Sequence, residues 1–152
     1  MRILFLPFVL AASTALAQQQ VPGAHFMENW DADADGQVTL AELQDKREQV
    51  FYMFDSDEDG MLDAEEYRMF DETRALDMQN NAANAGRGPM RRLSDGLQLA
   101  ANDTDGDGQV SRDEFLTRSA DWLARIDIDG DGVVTLADFR PGPGKGPAKA
   151  KP

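Results

Sequence analysis

The sequence predicts an all-α protein in two duplicated halves, each half holding two acidic loops that share one helix between them. Three observations lead to this. Twelve-residue segments beginning at Asp31, Asp55, Asp103 and Asp127 repeat one acidic pattern. The second half is an offset copy of the first, Asp103 corresponding to Asp31 and Asp127 to Asp55, with the run DGQV recurring at 35–38 and 107–110. The apolar residues between consecutive loops recur at helical spacing.

The second loop, DSDEDGMLDAEE from Asp55 to Glu66, shows what the pattern demands. A hard cation such as calcium takes about 6–8 oxygen ligands at roughly 2.3–2.6 Å. Asp55, Asp57 and Asp59 supply carboxylates at loop positions 1, 3 and 5, and Met61 offers its backbone carbonyl at position 7. Asp63 at position 9 binds directly or through water, and Glu66 at position 12 closes the shell with both oxygens. Gly60 at position 6 permits the sharp turn that a side chain would obstruct. The first loop repeats the set with Asp31, Asp33, Asp35, Gln37, Thr39 and Glu42, and the third with Asp103, Asp105, Asp107, Gln109, Ser111 and Glu114. In the fourth, Asp127, Asp129, Asp131, Val133 and Thr135 are followed by Asp138 in place of Glu. Its carboxylate is one methylene shorter and less able to chelate, so the fourth loop is expected to be weak or magnesium-tolerant. Up to four calcium ions are therefore expected. Position 8 is apolar every time, as Val38, Leu62, Val110 and Val134, and is expected to face a core.

The chain between Glu42 and Asp55 is long enough for one helix and too short for two. Leu40, Leu43, Val50, Phe51 and Phe54 lie on it at helical spacing, with Lys46, Arg47 and Glu48 assigned to its polar faces. Leu116, Ala120, Leu123, Ala124 and Ile126 mark the equivalent helix between loops 3 and 4. A helix of about 15 residues holds its ends roughly 22 Å apart, so sequence neighbours 1 and 2 cannot pair. Loop 2 is expected to pair with loop 3 and loop 1 with loop 4, in short antiparallel contacts with the shared helices antiparallel. Parallel packing, joining loop 1 to loop 3, is the alternative. Private helices are expected from Ala64 to about Met78 and from about Pro89 to Asn102.

At the start of the chain, Met1 and Arg2 precede the apolar run ILFLPFVLAA and the small-x-small site Ala15-Leu16-Ala17. This reads as a signal peptide over residues 1–17, too short for a membrane anchor, and predicts export, most simply to a periplasm. The remainder divides into loops 1 and 2 at 18–78, a flexible connection at 79–88, loops 3 and 4 at 89–140, and a disordered Pro/Gly/Lys tail at 141–152. That tail is either a solvated end or a basic segment that docks on an anionic surface. With no Cys in the chain, no disulfide supports the fold.

Removing Arg2 with the signal peptide takes the formal charge from −13 to −14. Of the 28 acidic residues, 17 occupy loop ligand positions, so bound divalent ions account for most of the excess. The acidity argues against nucleic acid as a partner, and no stable membrane insertion is expected after signal cleavage. Catalysis is not expected either. No Ser or Cys nucleophile pairs with a base, no loop cradles phosphate, and the paired carboxylates are committed to metal. His25, the single histidine, has no Cys partner to make a metal site. Trp30, Phe51, Phe54, Trp122 and Phe139 read as packing residues. The same reading is preferred for Met27, Met53, Met61, Met69, Met78 and Met90, the alternative being an adaptable surface for a partner.

These four loops, with Phe51 and Phe54 ahead of loop 2 and Tyr67 and Phe70 after it, resemble the EF-hand superfamily and share the loop plan of calmodulin. The close spacing of the loops within each half and the signal peptide resemble the small exported EF-hand proteins of Gram-negative bacteria. The likeness covers about Pro22 to Arg140. It departs at Asp138, at Asn102 where an apolar residue usually precedes loop 3, and in the shared helices. The resemblance implies calcium binding for buffering, sensing or structural support, with a protein partner as a further possibility.

Overall fold

The structure, a computed structural model, describes residues 21–81 and 87–140. The expected signal peptide, the middle of the connection and the basic tail lie outside the described residues. Among the described residues, helices and two short strands follow in order: α1 Ala24–Trp30, α2 Leu40–Phe54, β1 Met61–Leu62, α3 Ala64–Asn81, α4 Arg87–Asp95, α5 Leu99–Asn102, β2 Val110–Ser111, α6 Arg112–Thr117 and α7 Ser119–Ile126. None of these helices is long and apolar enough to cross a membrane.

Loop pairing sets the architecture. Strands β1 and β2 are antiparallel, with Met61 opposite Ser111 and Leu62 opposite Val110. Loops 1 and 4 meet at one bridge, where Val38 N–H donates to the Val134 carbonyl at 2.8 Å and Val134 N–H to the Val38 carbonyl at 3.0 Å. Loop 2 thus pairs with loop 3 and loop 1 with loop 4, which excludes the parallel alternative. Because α2 runs from loop 1 to loop 2 while α6 and α7 run from loop 3 to loop 4, the two linking segments are antiparallel. The duplicated halves therefore interlock around one core. Val38, Leu62, Val110 and Val134 are all buried in it, and so are Phe51, Phe115, Trp122 and Phe139.

Helix α2 starts where chemistry says it should. Thr39 caps it in a reciprocal capping box with Glu42, and Ser111 caps α6 in the same way with Glu114. The second linking segment bends at Arg118, so α6 and α7 are distinct although Trp122 N–H still reaches the Arg118 carbonyl at 3.0 Å. Helix α3 runs to Asn81 and α4 begins at Arg87, so the described flanks of the expected 79–88 connection are helical.

Three expectations are corrected by packing. The single helix expected over Pro89–Asn102 is two, broken at Gly96, Leu97 and Gln98. Gly96 lies under the Trp122 indole, where a Cβ would collide with the ring, and Trp122 Nε1 donates to the Leu93 carbonyl at 3.1 Å. The carbonyls released by the break are taken up: Asn102 Nδ2 donates to Gln98 at 2.9 Å and Gly96 at 3.3 Å, and the Tyr67 hydroxyl donates to Leu97 at 2.9 Å. Arg47, assigned to a polar face, is fully buried. The methionines are not scattered through the core either. Met27 is buried, whereas Met53 is 71% and Met69 46% exposed, and the side chain of Met90 lies outside the described set. Gly96→Ala is expected to destabilise the protein by about 1–3 kcal/mol through overpacking, read as a lower urea midpoint at unchanged slope.

Candidate metal centres

Each loop is wound around the carboxylate of its first Asp. Asp31 accepts from Asp35 N–H at 3.2 Å and Gly36 N–H at 2.9 Å, and Asp55 from Asp59 N–H and Gly60 N–H, both at 3.1 Å. Asp103 and Asp127 do the same one residue earlier, taking Gly106 and Gly130 N–H at 2.7 Å, then Gly108 at 3.1 Å and Gly132 at 2.9 Å. Position 4 is left-handed in every loop, and it is glycine in the two loops whose first Asp takes the position-4 amide. Gly106 and Gly130 take φ of 79° and 78°, while Ala34 and Glu58 are forced to 59° and 60°. An L side chain costs about 1–2 kcal/mol there, and glycine costs about 0.5–1 kcal/mol in unfolded-state entropy. Ala34→Gly and Glu58→Gly are each expected to raise the stability of the metal-free protein by about 0.5–1 kcal/mol in chemical denaturation.

The carboxylate at position 12 closes each loop from the other side. Glu42, Glu66, Glu114 and Asp138 accept from position 2, through Ala32 N–H at 3.0 Å, Ser56 at 2.6 Å, Thr104 at 2.8 Å and Ile128 at 2.8 Å. Their second oxygens accept from position 9, through Thr39 N–H at 2.9 Å, Asp63 at 3.0 Å, Ser111 at 2.9 Å and Thr135 at 2.8 Å. Asp138 spans the same two positions as the three glutamates because the chain after Thr135 makes tight turns rather than a helix. Asp138 N–H reaches the Thr135 carbonyl at 3.2 Å and Arg140 N–H the Ala137 carbonyl at 3.2 Å.

These contacts bring the acids together. Asp31, Asp33 and Glu42 each place one oxygen within 4.8 Å of the others, as do Asp55, Asp57 and Glu66, and Asp103, Asp105 and Glu114. In loop 4 the convergent trio is Asp127, Asp129 and Asp131, with Asp138 outside it. Asp35, Asp59 and Asp107 also stand outside the trios and turn back onto the amides of Gln37, Met61 and Gln109, each at 2.8 Å. Asp131 makes the equivalent contact to Val133 N–H at 3.1 Å. These four position-7 residues, whose carbonyls are the expected ligands, directly precede the paired position-8 residues. Asp63 caps α3, its Oδ1 accepting from Glu65 N–H at 2.8 Å and Glu66 N–H at 2.9 Å.

Electrostatics follow from these contacts. The Thr39 backbone N–H holds the Glu42 carboxyl below its ordinary range, ahead of a smaller opposing effect of desolvation. Glu114 is held at about 2, first by the Thr104 hydroxyl, which donates to Oε1 at 2.7 Å, against some desolvation. Asp129 is pushed up, by desolvation first, against the lowering effect of its bond with Asp131 N–H and with smaller contributions from the like charges of Asp131, Asp138 and Asp127. Carboxylates gathered in this way, with no basic side chain bonded to them among the described residues, form groups able to hold a cation. A donor set of carboxylate and carbonyl oxygens, with neither His nor Cys, suits calcium or magnesium rather than a softer metal.

Loops of this kind, paired through position 8 and flanked by helices except after loop 4, define a class: helix–loop–helix proteins whose loops suit a hard divalent cation. A family described as an EF-hand domain pair matches residues 44–120, and one described as an EF hand matches residues 120–140. The chain belongs to the EF-hand family, and its acidic clusters support calcium binding. The matched pair contains loops 2 and 3, the two joined by β1 and β2. No curated protein and no solved structure matches the chain.

Sequence reasoning missed what surrounds the loops. Arg47 and Asn102 form a buried polar network, and an open apolar groove of about 260 Å³ runs between α1, α2, α3, α4 and α7, lined by Trp30, Val50, Met53, Phe54, Phe70 and Leu93 among others. His25 stands at its rim, with Nε2 2.9 Å from an Asp77 oxygen. The signal for Arg47 was present in its spacing, since residues 43, 47 and 51 fall on one helical stripe with Leu43 and Phe51 both buried.

Proposed function

We propose that this is an exported, non-catalytic calcium-binding protein that holds up to four ions and acts as a sensor or buffer. The ligands on this reading are the carboxylates at positions 1, 3, 5 and 12 of each loop, Asp63 in loop 2, and the backbone carbonyls of Gln37, Met61, Gln109 and Val133. The observation that carries it is the recurrence of one winding in four loops, with both ends of every loop drawn onto carboxylate oxygens. Export is supported by the apolar run and the Ala15-Leu16-Ala17 site, which point to a periplasm.

The groove favours the sensor over the buffer. An open apolar cleft beside exposed Met53 gives calcium a surface to present to a protein partner, whereas a buffer needs none. A calcium-stabilised interaction module is the second reading, supported by the same groove. Calorimetric calcium titration beside a dye that reports exposed apolar surface tests all three. Calcium binding with a rise in dye signal supports the sensor, binding without it supports a buffer or a structural module, and no binding at millimolar calcium overturns the proposal. In the same titration Asp138→Glu is expected to tighten the weakest site by roughly tenfold, since a longer carboxylate reaches the ion with both oxygens. An unchanged weakest site would place the weakness elsewhere.

A further inference from the structure

Arg47 is buried midway along α2, and its hydrogen bonds go to neutral groups. Its Nε and Nη2 donate to the Phe115 carbonyl at 3.0 and 2.5 Å, Nη2 also donates to Asn102 Oδ1 at 2.6 Å, and the guanidinium carbon lies 4.0 Å from the centre of the Phe115 ring. Nη1 has no partner among the described residues. Burial pushes the guanidinium down to about 10. Asn102 extends the chain of contacts, donating through Nδ2 to the Tyr67 hydroxyl at 3.0 Å.

Each of these contacts falls at the edge of a loop. Asn102 precedes Asp103, the first acid of loop 3, and Phe115 follows Glu114, the last. Tyr67 follows Glu66, the last acid of loop 2. Arg47 belongs to neither edge, lying on α2 between Glu42 and Asp55. One planar cation thus grips both ends of loop 3 and, through Asn102, the closing end of loop 2.

We infer that Arg47 is a positioning residue that couples loops 2 and 3, fixing the separation of Asp103 from Glu114 and tying both to Glu66. This rests on the calcium reading of the loops. An ion binds more tightly when the ends of its loop are already held, because less ordering remains to be done on binding. Stability is a poor reason for such a residue. A buried charge costs desolvation, which bonds to a neutral carbonyl and amide offset only in part. The planar guanidinium, which directs several donors at once in fixed geometry, does what a hydrophobic side chain cannot.

The two roles separate in one experiment. In every loop the glycine at position 6 donates its N–H to the first Asp, so the amides of Gly36, Gly60, Gly108 and Gly132 each report their own loop. Calcium titration of the isotope-labelled protein, followed at these four resonances by NMR, is compared between wild type, Arg47→Met and Tyr67→Phe. Arg47→Met is expected to raise the half-saturating calcium at Gly60 and Gly108 by about tenfold, toward the low end of typical coupling between sites, and to leave Gly36 and Gly132 within about twofold. Its melting temperature without metal is expected to fall, because the Phe115 carbonyl and Asn102 Oδ1 lose their donor, and it is the difference between the loops, not this fall, that reads the coupling. Tyr67→Phe removes only the hydroxyl and is expected to give a smaller change at the same two glycines; should Arg47→Met not fold, this variant decides. Equal weakening at all four glycines, or none in either variant, overturns the inference. A wild-type protein whose four glycines ignore calcium overturns the calcium reading, and the inference with it.

Discussion

Chelating calcium is expected to lower the melting temperature of the protein steeply, and this is the largest effect predicted for it. An ion that binds only the folded loops stabilises each site by about 2.7 kcal/mol at a hundredfold excess over its Kd, or about 11 kcal/mol for four independent sites. That rivals the whole stability of an ordinary domain, about 5–15 kcal/mol. The metal-free loops also bear their own repulsion, visible in Asp129, which is pushed up by desolvation and in part by the charges of Asp131, Asp138 and Asp127. Thermal melts followed by far-ultraviolet circular dichroism, with calcium and with a chelator, measure the difference. Identical curves would refute the idea that calcium contributes folding free energy.

Trp122→Ala is expected to cost about 3–5 kcal/mol in denaturant unfolding of the calcium-loaded protein, the range for truncating a buried large aromatic. Trp122 is the point where the elements converge. Its ring meets Trp30 edge-on at 4.8 Å and Phe26 at 6.3 Å, lies over Gly96, and bonds the Leu93 carbonyl. Truncation removes these contacts together, and the space opened adjoins the groove that Trp122 helps to line. A loss below about 1 kcal/mol would mean that α7 is anchored by other residues. Trp122→Phe, which retains a ring but loses the hydrogen bond, should fall between the two.

The loops, the position-8 contacts and the exclusion of pairing between neighbouring loops were legible in sequence, while the choice of loop 1 with loop 4 and loop 2 with loop 3 over the parallel arrangement was decided by the structure. What was legible follows from local chemistry or from chain length: a hard cation fixes residue types at fixed offsets, and a helix the length of α2 keeps its ends too far apart for neighbours to pair. Asn102 was noticed only as a departure from the usual apolar residue, although its amide serves the carbonyls freed by the break in the helix before loop 3. The break itself was invisible because it depends on Trp122, which lies beyond loop 3, far downstream of Gly96. Arg47 was misread for the same reason. Its charge suggested water, and the carbonyl and amide that replace water come from Phe115 and Asn102, remote in sequence.

By itself, then, the sequence determined the parts of this protein governed by coordination chemistry and helical reach: four acidic loops, two linking segments and the rule that neighbouring loops within a half do not pair. Tertiary structure alone decided where the entering helix of loop 3 breaks, which groups satisfy the buried Arg47, and which methionines remain at the surface. Local pattern dictates what a segment needs, an ion, a cap or a turn. Whether a buried polar group can be satisfied depends on donors and acceptors brought together only when distant segments pack.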